Sequence, residues 1–157
     1  KAGPHTLTIT GAGTTTPALV TSTLALTGST SYSVFVMGLA ASPVGVTLLD
    51  SLTSPIAGNA KLRIVHASPD TVGLDMFQDD ATAAVVTGLP YKSGSGYLSV
   101  PAGVHSYKFN LTATTNAALP LQTVTLEAGK VYTAVIQGSS ATGAVKPLTL
   151  NLITDRS

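Results

Sequence analysis

An internal repeat restricts this chain more than any other feature. The segment Ala2, Gly3, Pro4, His5, Thr6, Leu7, Thr8, Ile9 returns 100 residues later as Ala102, Gly103, Val104, His105, Ser106, Tyr107, Lys108, Phe109. The same spacing carries Leu24, Leu26, Tyr32, Val34, Val36 and Gly38 onto Val124, Leu126, Tyr132, Ala134, Ile136 and Gly138. Towards the ends it widens slightly, so that Leu48, Leu49 and Asp50 fall on Ile153, Thr154 and Asp155. A register held this long means that both stretches build the same supersecondary structure. The copies are unequal, however. The second starts near Ala60 and runs through a front portion before it reaches Pro101, whereas the first starts at the equivalent of that point. The chain reads as one and a half copies: residues 1–57 are the C-terminal part of a first unit, and residues 58–157 are a complete second one.

Both copies have β patterning. Leu7 and Ile9 alternate with Thr6, Thr8 and Thr10, and Tyr107, Phe109 and Leu111 alternate with Ser106, Lys108 and Asn110, the period of two of a half-buried strand. Further short strands are expected over 61–67, 72–77, 83–87, 96–100, 121–127, 131–138 and 147–154. Turn residues separate them: Ser68, Pro69, Asp70; Asp79, Asp80; Gly88 to Pro90; Pro101 to Gly103; Ala128, Gly129. No segment holds a helical period. The prediction is an all-β chain of tandem immunoglobulin-like β-sandwich units, the first incomplete. In each copy a Leu precedes a Tyr by six residues with a Gly between: Leu26, Gly28, Tyr32 and Leu126, Gly129, Tyr132. Either these are tyrosine corners whose hydroxyls return to the backbone, or they are simply inward-facing rings.

Composition narrows the partners. Only 10% of residues are charged, and eight Lys and Arg face seven Asp and Glu, so there is no net field to attract nucleic acid. With 44% apolar residues the chain can fill a core, yet no run approaches the roughly 20 apolar residues of a membrane span. The hydroxyl-rich, weakly ionic surface suits a secreted or cell-envelope protein. Cys is absent, which removes disulfides and thiolate metal sites. The chain opens at Lys1 without a signal-peptide pattern and reads as a mature or trimmed product.

The run Ala60, Lys61, Leu62, Arg63, Ile64, Val65, His66, Ala67, Ser68, Pro69, Asp70, then Leu74, Asp75, Met76, Phe77, then Tyr97, Leu98, Ser99, Val100, Pro101, Ala102, Gly103, and finally Leu126 to Thr133 resembles domain of unknown function 4397. The resemblance covers the whole second copy and, more weakly, the back of the first. It implies a prokaryotic secreted or lipid-anchored envelope protein with tandem sandwich repeats, and it transfers no catalytic residue. The chain departs from the family pattern in lacking the front of its first copy. It also carries Gln78, Asp79 and Asp80 where the family has a Gly-containing turn.

The most tempting cluster for chemistry is His66 with Asp70, Asp75, Asp79 and Asp80, since carboxylates near a turn could collect the six to eight oxygens that Ca²⁺ takes. The spacing lacks the alternate-residue ligation of a calcium loop, and Asp70 after Ser68 and Pro69 suits a turn that bonds its own backbone. His66 shares parity with Leu62 and Ile64, which favours an inward imidazole satisfied by a carbonyl. His5 and His105 are equivalent rim positions. No Ser sits in a nucleophile elbow, and Gly11–Gly13 and Gly94–Gly96 precede neither a helix nor a phosphate-binding Lys. Catalysis is therefore not expected, nor any cofactor. Tyr91 and Tyr97, flanking a Gly/Ser loop, are the candidate stacking surface for carbohydrate. Asn110, Leu111, Thr112 is a formal glycosylation sequon.

The half copy carries the sharper expectation. Its inward rows include Leu7, Ile9, Leu24, Leu26, Tyr32, Val34, Val36, Val46 and Leu48. At about 1.5–3 kcal/mol per buried side chain, leaving half of them wet forfeits on the order of 10 kcal/mol, comparable to the whole stability of a domain. Either residues before Lys1 complete this unit, or it packs on the second copy, or a neighbouring subunit supplies strands. The expected function is a non-catalytic extracellular structural subunit of a surface filament or sheath, assembled by strand complementation or head-to-tail packing. A cell-surface adhesion module for carbohydrate or another surface polymer is the alternative.

Overall fold

The computed structural model describes residues 2–39, 41–141 and 143–157, and every regular element in them is a β-strand. The chain divides into two compact units, Lys1–Ser51 and Leu52–Ser157. The division falls slightly before the 57/58 boundary expected from the repeat. Residues 52–54 go with the second unit because Arg156 donates to the Leu52 carbonyl and the Ser54 hydroxyl, and Lys61 donates to the Thr53 hydroxyl.

The first unit consists of two antiparallel hairpins. One pairs β1 (Gly3–Thr10) with β2 (Ala18–Leu26), and the other pairs β3 (Ser31–Met37) with β4 (Val44–Asp50). Val20 and Met37 are its buried hydrophobic side chains. The hairpins meet along β2 and β4, where Val20 comes so near Gly45 that a Cβ on that residue would lie 3.2 Å from a Val20 methyl.

The second unit is a two-sheet sandwich built from β5 (Asn59–His66), β6 (Leu74–Gln78), β7 (Val86–Leu89), β8 (Ser93–Gly94), β9 (Leu98–Pro101), β10 (Gly103–Leu111), β11 (Ala117–Leu126), β12 (Val131–Gln137) and β13 (Thr149–Arg156). One sheet has the order β11-β10-β6-β7. The other has the order β13-β12-β5-β8, with β9 also paired to β5. The core draws on both: Leu74, Met76, Tyr107, Phe109, Leu119 and Leu126 from the first, and Ala60, Leu62, Ile64, Val100, Tyr132, Ala134 and Ile136 from the second. The strand expected over 96–100 is β9, and β8 is a further short strand before it, both antiparallel to β5, with the loop between them carrying Tyr97. β5 lies parallel to β12, Lys61 opposite Val131 and His66 opposite Ile136.

The repeat in sequence is a repeat in hydrogen-bond register. The pairs Gly3–Leu26, Pro4–Ala25, His5–Leu24, Thr6–Thr23 and Leu7–Ser22 recur as Gly103–Leu126, Val104–Thr125, His105–Val124, Ser106–Thr123 and Tyr107–Gln122. Tyr32–Leu49 and Val34–Thr47 recur as Tyr132–Thr154 and Ala134–Leu152. β1 to β4 are thus the counterparts of β10 to β13. The corner repeats too. The Tyr132 hydroxyl accepts from the Glu127 N–H at 3.2 Å, and the Tyr32 hydroxyl accepts from the Thr27 N–H at 3.3 Å. Of the two readings of these tyrosines, the corner is the one observed.

Candidate functional site

The counterparts decide which edges of the first unit are unusual. β11 and β13 end their sheets, so the outer edges of β2 and β4 correspond to natural sheet borders. β10 and β12 are interior: β10 pairs with β6 on its far side, and β12 with β5. Their counterparts β1 and β3 have no second neighbouring strand among the described residues. Both interior-type strands therefore end at an edge, the arrangement that templates pairing with another chain.

Burial follows the same division. Ala134 and Ile136 are 2% and 0% exposed, whereas Val34 and Val36 are 36% and 49% exposed. Tyr107 and Phe109 are buried, while Leu7 and Ile9 are only half-buried, as are Leu24 and Leu26 against the buried Val124 and Leu126. The inward row of the first unit is apolar by sequence and incompletely covered. Among the described residues no strand takes, beside β1 and β3, the place that β6 and β5 take beside β10 and β12.

In the second unit the carboxylates singled out from sequence are placed apart and used singly. Asp70 accepts from the Ser68 and Ser139 hydroxyls and from the Ser140 N–H. These bonds, the Ser139 hydroxyl foremost, hold its pKa down at about 2. Asp75 accepts from the N–H groups of Gly88 and Ala113 and so ties two loops together, and those bonds lower its pKa. Asp79 adopts a left-handed backbone (φ 52°), a conformation Asp tolerates better than most residues. Its carboxylate meets His105 Nδ1 at 2.9 Å and accepts from the Ser106 N–H. Asp80 is exposed in the same turn. Among the described residues no three His, Asp or Glu side chains converge as metal ligands would, and the calcium candidates are not brought together.

Both histidines of this unit have assigned surroundings. His66 is fully buried; its Nδ1 accepts from the Ser68 N–H, so Nε2 carries the proton and donates to the Val72 carbonyl at 3.1 Å. Burial lowers its pKa. The inward imidazole read from parity is therefore observed. His105 places Nδ1 on Asp79 and Nε2 on the Pro101 carbonyl at 2.8 Å, two acceptors that only the imidazolium can serve together. Desolvation pulls its pKa down, but the bonds to Asp79 and Pro101 outweigh it and the net shift is upward.

The two loop tyrosines differ from the expected open platform. Tyr97 carries the Arg63 guanidinium 4.7 Å from its ring centre and donates its hydroxyl to Asp155 at 2.9 Å. Burial raises its pKa to about 12. Tyr91 packs edge-on to His66, with Lys92 near its ring. One face of Tyr97 is thus occupied from within.

Sequence reasoning missed the polar centre beneath Tyr97. Arg63 is 2% exposed, donates to the Thr133 hydroxyl at 2.9 Å and lies 3.9 Å from Asp155, while Thr133 in turn donates to Asp155 at 2.6 Å. The available signal was an Arg inside an apolar strand whose opposite parity already fills the core. The first unit repeats part of this centre, since the Ser33 hydroxyl donates to Asp50 at 2.9 Å as Thr133 does to Asp155.

A family model described as Domain of unknown function (DUF4397) matches residues 1–77 and 60–156. A search of curated proteins finds no match to the chain.

Proposed function

The chain belongs to the family described as Domain of unknown function (DUF4397), and on that premise we propose that it is a non-catalytic extracellular structural subunit that assembles with neighbouring polypeptides through the edges of its first unit. The observation that carries this reading is that β1 and β3, counterparts of interior strands, each have one unpaired edge among the described residues. Strand addition there supplies main-chain hydrogen bonds along the edge and covers Val34 and Val36 at once. A head-to-tail contact of this kind propagates into a filament or sheath when its rotation does not close. The dispersal of Asp70, Asp75 and Asp79 into separate loop clamps supports a structural rather than a catalytic use of these acids. The alternative, a cell-surface carbohydrate-binding module, rests on Tyr91 and Tyr97; it has less support because Arg63 already covers one face of Tyr97.

Sedimentation velocity and negative-stain microscopy of the full chain at micromolar concentration test the proposal. Dimers or longer assemblies are expected, dissociated by Val36→Lys. A chain that stays folded and strictly monomeric would sink it.

A further inference from the structure

We infer that the loop end of the second unit holds a binding site for a primary ammonium group carried on an aliphatic stem, with Asp70, Thr71 and Ser140 as its three acceptors. The site lies within the second unit alone and is independent of the assembly reading above.

The sandwich topology gathers these residues. β5 and β12 run parallel, and Leu111 at the close of β10 sits opposite Leu74 at the start of β6, so all three strands finish at the end of the unit remote from Asn59 and Arg156. The residues that follow them, 67–73, 138–141 and 112–116, meet there and are bonded to one another. The Thr112 N–H donates to the Gly73 carbonyl at 2.8 Å, Asp75 ties Gly88 to Ala113, and Asp70 ties its own loop to Ser139 and Ser140. Among the described residues a cavity of about 330 Å³ opens between these loops, with Leu111, Ala117 and Ala118 on its apolar side and Asp70, Thr71 and Ser140 on its polar side. Small-molecule sites run from about 300 Å³ upward. Because the loops are already cross-bonded, a ligand has little ordering to impose on them.

The hydrogen bonds already made decide what chemistry fits. A carboxylate and a carbonyl can only accept, so the Ser68 hydroxyl gives its proton to the Asp70 carboxylate and the Ser140 hydroxyl gives its own to the Asp70 carbonyl. With the Ser68 proton committed, the 2.8 Å contact between Ser68 and Thr71 is a donation by Thr71. All three polar side chains of the cavity therefore present lone pairs and no proton. Ser68 and Thr71 are 0% and 6% exposed, which shields their bond from rearrangement by water. Charge points the same way. Asp70 is held ionised by neutral donors, the Ser139 hydroxyl foremost, with its pKa at about 2, and among the described residues no Lys, Arg or His pairs with it. Three acceptors, one of them bearing a full negative charge, answer the three N–H groups of an ammonium, which accepts nothing in return. The apolar side takes the methylene stem, as apolar surface takes the stems of lysines. A sugar ring, whose hydroxyls accept as well as donate, finds no donor among these side chains. The ammonium group can come from a free alkylamine or from a lysine side chain of a polypeptide.

The test titrates n-butylammonium chloride into the isotope-labelled full chain at neutral pH and physiological salt and follows amide NMR shifts. Saturating shifts are expected at Thr71, Leu111, Ala118 and Ser140, with a Kd on the order of 1 mM. n-Butanol, with the same stem and no charge, and tetramethylammonium, with the charge and no N–H, should each bind about tenfold more weakly or worse. Asp70→Asn should weaken butylammonium binding about tenfold or more. Because Asp70 also clamps two loops, Ala117→Leu is the second variant: it narrows the cavity from an exposed position, leaves every acceptor in place, and should weaken binding likewise. A tripeptide with a central lysine, compared with the same peptide acetylated at Nζ, separates the two sources. Binding tighter than that of butylammonium and abolished by acetylation assigns the site to a polypeptide lysine, and weaker binding assigns it to a free alkylamine. The inference is overturned if butylammonium gives no saturating shift at these residues, if n-butanol binds as well, or if the response survives Ala117→Leu unchanged.

Discussion

The Tyr132 hydroxyl accepts a hydrogen bond from the backbone N–H of Glu127, five residues earlier, at 3.2 Å. The ring is 3% exposed, so this polar tip is the one part of the side chain that needs a partner. Tyr107 is the converse case: it is 1% exposed, and its hydroxyl finds no hydrogen-bond partner among the described residues. Tyr132→Phe should destabilise the second unit by about 1 kcal/mol, because it orphans an N–H at a turn. Tyr107→Phe should be neutral or stabilising by up to about 1 kcal/mol, because it removes a desolvated hydroxyl. Urea unfolding of the two variants checks the contrast, and equal losses would refute it.

The two histidines of the second unit should titrate on opposite sides of the ordinary value of 6.5. His66 has its pKa lowered, so the unfolded chain binds the extra proton first. Its contribution to stability is complete above the unfolded value and is lost as pH falls through the folded one. His105 has its pKa raised, so its contribution is complete below the unfolded value and is lost as pH rises through the folded one. Ring-proton NMR titration should give the His66 midpoint below that of His105. The reverse order would contradict both assignments.

Gly138 has φ 104°, and a Cβ there would collide with the Pro147 carbonyl oxygen. Gly58 also has a positive φ, 82°, but a Cβ there would meet open space. Gly58→Ala should cost about 1 kcal/mol, the ordinary left-handed penalty. Gly138→Ala should cost about 2 kcal/mol or more, since main chain must also move. Thermal unfolding of the pair separates conformation from collision, and equal shifts in Tm would count against the collision.

Asp155 serves Thr133, Tyr97 and Arg63 together. Asp155→Ala removes the carboxylate beside a guanidinium that is itself nearly inaccessible, and should cost about 3 kcal/mol. Replacing the whole group with apolar residues, as in Arg63→Met with Asp155→Leu and Thr133→Val, should recover most of that loss. A triple variant as unstable as Asp155→Ala alone would show that the centre stabilises more than its own charges.

Sequence patterning carried the strands and the repeat because alternation and turn residues are local. It also placed His66 on the inward row, since parity with Leu62 and Ile64 is a local property. The parallel pairing of β5 with β12 had no such signal: its partners lie 70 residues apart, as Arg63 and Thr133 do. The same separation hid the Arg63 centre, because alternation gives the face a residue points to and not what covers that face. Asp75 was legible as an acid near a turn. That it spans Gly88 and Ala113 depends on two loops meeting in space.

The ends of the second unit lie together. Val131 pairs with both Lys61 and Arg156, and Arg156 bonds back to Leu52 and Ser54. Tension applied to this unit through its two termini therefore acts at one end of a sheet. It loads β13 in peel rather than shear, so that the ladder to β12 parts pair by pair from Val131–Arg156 towards Gln137–Thr149. Such a module gives way at low force along an edge and lengthens gradually, while the core between β5 and β10 stays whole. Single-molecule pulling from Ser54 and Arg156 should show this early, compliant extension; an abrupt rupture of the entire unit at high force would argue for a different load path.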